Sequence, residues 1–115
     1  MSGLNDDFSL KKSNEFNSVY KQGKSYVTKH IVMYWKKNKE PYNRIGCTVS
    51  KKVGNAVTRN RVKRLMKETY RLNSKNIPKG YDLVFVARVR MKDANYAQVE
   101  KTMRYLLGHL KKENR

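Results

Sequence analysis

The sequence predicts an α/β sandwich, and three observations carry that expectation. Segments with helical and strand-like periodicity follow one another in the order helix, strand, strand, helix, strand, helix. One of them, Tyr81 to Val89, is almost continuously apolar, as a strand covered on both faces should be. No internal repeat, low-complexity tract or linker interrupts the 115 residues, which suffice for one domain with a modest core and not for two.

Residues 1–8 are expected to form a disordered tail and residues 9–115 the folded domain. Ser13 reads as the N-cap of a short first helix, with Phe16, Val19 and Tyr20 at helical spacing and Gly23 as its stop. Phe16 and Tyr20, one turn apart, suit either a core or a platform on which single-stranded bases stack. Tyr26 to Trp35 is strand-like, with Ile31, Met33 and Trp35 on one face and His30, Val32 and Tyr34 on the other. After a turn at Asn38 to Tyr42, a second strand runs from Arg44 to Val49. In it Ile45, Cys47 and Val49 are expected to be buried, while Gly46 and Thr48 leave a low floor beside Tyr34.

Gly54 and Asn55 turn the chain into the central helix. Val62, Leu65, Met66, Thr69 and Leu72 form its apolar stripe. Arg59, Asn60, Lys63, Arg64, Lys67 and Arg71 lie within an arc of about 140° opposite that stripe. Like charges at i and i+4 repel by a few tenths of a kcal/mol per pair, a cost that an anionic partner offsets. A solvated charged face is the bland alternative, but guanidinium groups bind phosphate bidentately, and the helix start adds a positive dipole end beside Ser50, Lys51 and Lys52. A loop with Pro78 and Gly80 leads into the strand Tyr81 to Val89, closed by Arg88 and parallel to Arg44–Val49 through a crossover. The last helix begins near Asn95, which forms a capping box with Gln98. Val99, Met103, Leu106, Leu107 and Leu110 are its packing stripe.

Charge narrows the function. Lys plus Arg number 27 against 9 Asp plus Glu, a formal charge of +18, which favours a polyanionic partner. Nucleic acid is preferred over an anionic membrane, because the core claims the apolar stripe of the basic helix. Cys47 is the one cysteine, so no disulfide framework or cysteine zinc site is expected, and a reducing cytoplasm fits. No signal peptide or membrane span is expected either. The acids Asp6, Asp7, Glu15, Glu40, Glu68, Asp82, Asp93, Glu100 and Glu113 are scattered, His30 and His109 do not read as an acid–base pair, and no nucleophile, Walker or zinc motif appears. No catalytic residue, metal site or protein-held cofactor is therefore expected.

The run S-K-K-V-G-N-A-V-T-R-N-R-V-K-R, from Ser50 to Arg64, resembles the signature of the bacterial ribonuclease P protein subunit, with its RNR motif on the helix after this strand. The resemblance extends from about Ser9 to Leu110. One departure is Lys67, where the family often carries arginine. The resemblance implies a two-layer α+β sandwich with a mixed sheet of about four strands, three helices and a left-handed crossover. It also implies that Arg59, Asn60, Arg61, Lys63, Arg64 and Lys67 dock on a catalytic RNA subunit. Phe16, Tyr20, Tyr34, Lys51, Lys52 and Arg88 would line the groove for the 5′ leader of precursor tRNA. On that reading the protein is a cytoplasmic monomer, one per RNA, within a tRNA-maturing endoribonuclease whose magnesium ions are held by the RNA. The alternatives are a structural RNA-binding protein of ribosomal type, which gives no reason for an aromatic groove, and a DNA-binding module, disfavoured because crowded Lys and Arg suit phosphate better than base edges.

Overall fold

The computed structural model describes residues 8–113. Its elements are β1 (Phe8–Ser9), α1 (Ser13–Gln22), β2 (Lys24–Val27), β3 (Ile31–Lys37), β4 (Arg44–Thr48), α2 (Ala56–Asn73), β5 (Tyr81–Ala87), a 3-10 helix (Val89–Asp93) and α3 (Tyr96–Glu113). The strands form one mixed sheet in the order β1-β4-β5-β3-β2. β1 and β4 pair in parallel, as do β4 and β5, while β3 runs antiparallel to both β5 and β2. Four longer strands and three α-helices match the expected α+β architecture, and β1 adds a two-residue edge. Of the tail expected over residues 1–8, residues 1–7 lie outside the described residues, and Phe8 pairs with Arg44 in β1.

Alternation along the strands assigns the two faces. Ile31, Met33 and Trp35 of β3 and Leu83, Phe85 and Ala87 of β5 point into the main core with Val62, Met66 and Tyr70 of α2 and Val99, Met103, Leu106, Leu107 and Leu110 of α3. Val84 points to the other face, where it is buried with Leu10 and Val19, and Phe16, Tyr34 and Val86 pack around them. β5 is thus covered from both sides, which is why it reads as a continuous apolar run. Helix α3 begins as expected: Asn95 N–H donates to Gln98 Oε1 at 3.0 Å, and Gln98 N–H donates to Asn95 Oδ1 at 2.9 Å.

Several expectations are corrected. The strand expected from Tyr26 to Trp35 is a hairpin, because Thr28 closes a turn. Its Oγ1 lies 2.6 Å from Ile31 O and accepts from Ile31 N–H at 3.0 Å. The N-cap of α1 is Lys12 rather than Ser13, since the Glu15 carboxylate accepts the Lys11 and Lys12 N–H groups at 2.9 and 3.0 Å. Those backbone bonds, with help from Arg44, hold the Glu15 carboxyl below its usual pKa. Strand β5 ends at Ala87, before the 3-10 helix. On α2, Leu72 is 61% exposed and Tyr70 is buried in its stead, tilted against Phe85 with ring centroids 5.8 Å apart. The core-facing side of the helix is rotated by about 50° from the expected stripe. Ile45, Cys47 and Val49 are only half-buried, packing against the main core from its margin.

Asp82 is the buried carboxylate of the sheet. Arg44 binds it through two bonds, Nε to Oδ1 at 2.8 Å and Nη2 to Oδ2 at 2.7 Å, and Asn38 Nδ2 adds a third at 2.9 Å. Arg44 Nη1 also reaches Glu15 Oε2 at 3.2 Å, tying α1 to β4 and β5.

Candidate nucleic-acid interface

The pairing register arranges the α1-side face of the sheet in rows. One row joins Gly46, Val84, Tyr34 and Ser25 across four strands, and the next joins Thr48, Val86, Val32 and Val27. Helix α1 lies over the first row. A Cβ on Gly46 would stand 2.4 Å from Phe16 Cε1, so only glycine admits the ring. The low floor expected at Gly46 is therefore occupied by the protein's own Phe16, which is half-buried. Tyr20 stands beside Tyr34 in an edge-to-face pair with centroids 4.9 Å apart, and remains 37% exposed. Lys36 Nζ donates to Ser18 Oγ at 2.9 Å and pins the helix from β3.

The second row is less covered. Val32, Thr48 and Val86 are half-buried and Val27 is 58% exposed, which leaves an apolar strip beside the two tyrosines. Past the ends of β4 and β5 the chain turns basic, with Lys51 and Lys52 in the turn before α2 and Arg88 after β5, all exposed. Arg88 Nη1 donates to Thr28 O at 2.8 Å, which orients the guanidinium and leaves its other donors available. Burial, with Lys29 and Arg90 close by, holds the His30 imidazole below its usual pKa. Thr48 was part of the low floor expected beside Tyr34, but Val27, Val32 and Val86 were not among the sequence candidates, although valines, which suit a half-buried sheet face, were the available signal.

The second basic surface is α2. Asn55 caps it, its Oδ1 accepting Thr58 N–H at 2.9 Å. Asn60, Lys63, Arg64 and Lys67 are exposed on one face, together with Arg71. The sequence candidates Arg59 and Arg61 behave differently. Arg59 is half-buried and its Nε donates to Gly54 O at 3.1 Å, bracing the turn that leads into the helix. Arg61 turns away from the basic face, with Nη2 on Lys92 O at 2.7 Å and Nη1 on Ala94 O at 3.4 Å. It fastens α2 to the 3-10 helix. Although Cys47 as a residue is half-buried, its thiol packs against the core, and that burial pushes its pKa up to about 12, with Lys67 and Lys63 offsetting part of the rise.

Among the described residues, no three of His, Cys, Asp and Glu come together as a metal site. Asp82 and Glu15 both meet Arg44, and His109 is stacked on Tyr26 at 3.8 Å. Among the described residues, no helix is long and apolar enough to cross a membrane.

An α+β fold that sets an apolar strip between two tyrosines and a group of cations, and carries a second basic face on α2, defines a nucleic-acid-binding protein. The chain belongs to the ribonuclease P protein family, whose model matches residues 4–111. The ribonuclease P protein component of Clostridioides difficile is 54% identical over 99 residues, covering 85% of this chain and 87% of that protein. That of Alkaliphilus metalliredigens is 48% identical over 102 residues, covering 89% of this chain and 92% of its own. The solved structure of the Staphylococcus aureus RNase P protein superposes with a TM-score of 0.80 at 33% identity, covering 94% of this chain and 95% of that one.

Proposed function

We propose that this protein is the RNA-holding subunit of a tRNA 5′-maturation ribonuclease and does not itself break the phosphodiester. The single observation that carries this reading is the half-open strip of Val27, Val32, Thr48 and Val86, with Tyr20 and Tyr34 on one side and Lys51, Lys52 and Arg88 on the other. An unpaired strand lying there stacks bases on the tyrosine side and sets phosphates against the cations, a sequence-tolerant mode suited to leaders of varied sequence. The precursor tRNA leader is that strand. Phe16 serves chiefly by packing on Gly46, which props the helix that carries Tyr20.

Asn60, Lys63, Arg64 and Lys67, with Arg59 at the start of the helix, dock on the RNA subunit. That subunit, one per protein, would hold the magnesium ions, which would supply the activation of water for the cleavage. The side chains of this protein hold the two RNAs in register and neutralise phosphate repulsion between them. The complex works in the cytoplasm.

Reconstitution tests this. The protein alone cleaves nothing, and adding it to a bacterial ribonuclease P RNA lowers the magnesium needed to cut a precursor tRNA. Lengthening the leader by a few nucleotides tightens binding, and Tyr20→Ala removes most of that gain. Cleavage by the protein alone, or a leader effect unchanged in Tyr20→Ala, overturns the assignment. If roughly six to ten phosphates are neutralised, affinity falls by about 10³–10⁵ between 50 and 200 mM salt.

A further inference from the structure

A second aromatic cleft lies around the outer edge of the sheet, between the β2–β3 turn and α3. It encloses about 760 Å³, a volume in the range of small-ligand sites. Tyr105 projects into it from α3 and is 60% exposed. An aromatic ring on the solvent side of a helix is ordinarily mobile, but this one is held. Its hydroxyl shares a hydrogen bond of 2.8 Å with Tyr26 Oη, and Tyr26 is in turn stacked on His109 with centroids 3.8 Å apart and planes inclined by 19°. Holding the ring in advance lowers the ordering cost of stacking a ligand on it. Val27, 58% exposed at the end of the leader strip, also borders the cleft at the sheet edge.

The rim is basic. Lys29 and Lys101 line it, and neither has an ion-pair partner among the described residues, while Arg104 pairs with Glu100 at 3.1 Å. Lys29 also borders a neighbouring opening lined by Arg88 and Arg90. Cations therefore continue from the end of the leader strip, over the Thr28–His30 turn, to the cleft. A rigid open ring and unpaired cations at the rim match the two halves of a nucleotide, a flat base and a phosphate.

We propose that the cleft between the β2–β3 turn and α3 is a second single-stranded RNA site, which takes an unpaired nucleotide with its base on Tyr105 and its flanking phosphates on Lys29 and Lys101. The proposal rests on the RNA-binding part of the function above and is independent of cleavage. The nucleotide comes either from the strand that leaves the leader strip past Arg88 or from an unpaired position of the RNA subunit.

The test titrates the full-length protein with a hexauridylate, an abasic hexamer carrying the same phosphates, and hexaglutamate, following amide resonances. The base-bearing oligomer shifts Tyr105, Thr102 and Lys101, while the abasic hexamer and hexaglutamate leave Tyr105 in place. Tyr105→Leu weakens binding at the cleft about 5- to 150-fold, the range for loss of one stacked base. Lys101→Gln weakens it less and lowers the salt slope by about one. Shifts confined to Tyr20 and Tyr34, equal shifts with the abasic or glutamate chain, or unchanged affinity in both variants overturn the proposal. A leader strip that binds nothing while the cleft still responds would overturn the leader assignment and leave this one standing. In the assembled complex, photo-crosslinking from position 105 reaches the precursor if the strand continues from the strip, and the RNA subunit if it does not. A crosslink to neither overturns the proposal.

Discussion

The ring of Phe16 lies on the α-carbon of Gly46, so close that a methyl group there would stand 2.4 Å from Phe16 Cε1. A helix on one face of the sheet is thereby seated by the absence of a side chain on β4. Gly46→Ala forces the ring off its seat and destabilises the fold by about 1–3 kcal/mol, the usual cost of overpacking. Urea denaturation measures it. Phe16→Ala in the same molecule relieves the clash, so the double variant loses less than the sum of the two single losses.

Asp82 is 1% exposed, and Arg44 grips both of its carboxylate oxygens. Arg44→Met leaves that carboxylate buried without its partner and costs about 3–5 kcal/mol. Asp82→Asn combined with Arg44→Met recovers part of the loss by removing the stranded charge. Urea denaturation of both variants checks the order, and a single variant as stable as the double one contradicts it.

Arg61 and Arg64 are three residues apart and do different work. Arg61 is spent on the carbonyls of Lys92 and Ala94, whereas Arg64 is exposed. Arg61→Ala therefore lowers stability by about 1.5–3 kcal/mol, as expected for hydrogen bonds from a charged group. Arg64→Ala stays within about 0.5 kcal/mol of the parent and instead reduces the salt slope of RNA binding by about one. Thermal unfolding beside a salt titration separates them.

His30 gives the fold a pH dependence of definite sign. Burial, Lys29 and Arg90 lower its pKa below the ordinary 6.5, so the unfolded chain binds the proton more readily than the folded one. The contribution of the neutral ring is complete above about pH 6.5 and is lost as pH falls through the lower folded value. His30→Gln flattens the stability curve in that window, which urea midpoints between pH 7.5 and 5.5 detect.

The elements of this protein were legible where the information is local. The capping box of Asn95 and Gln98 and the stripe from Val99 to Leu110 depend on neighbours one turn away, and they stand where periodicity puts them. The almost continuous apolar run of β5, interrupted by Asp82, likewise announced a strand buried on both sides. Two local features escaped: the start of α1, set at Lys12 by the Glu15 carboxylate, and Thr28, whose hydroxyl closes a turn within a stretch whose alternation continues through it.

By itself the sequence determined the order of the three α-helices and of β4 and β5 among them, the excess of positive charge and the basic face of α2, all of which follow from composition and from periods of two and 3.6 residues. Tertiary structure decided which of those cations remain free. Arg61 meets carbonyls about thirty positions onward, and Phe16 meets a glycine about thirty positions onward, so neither pairing leaves a trace in local spacing. The strip of Val27, Val32, Thr48 and Val86 exists only once four strands are in register. Side-chain partners across a sheet are set by strand pairing, and strand pairing is settled when the whole core closes.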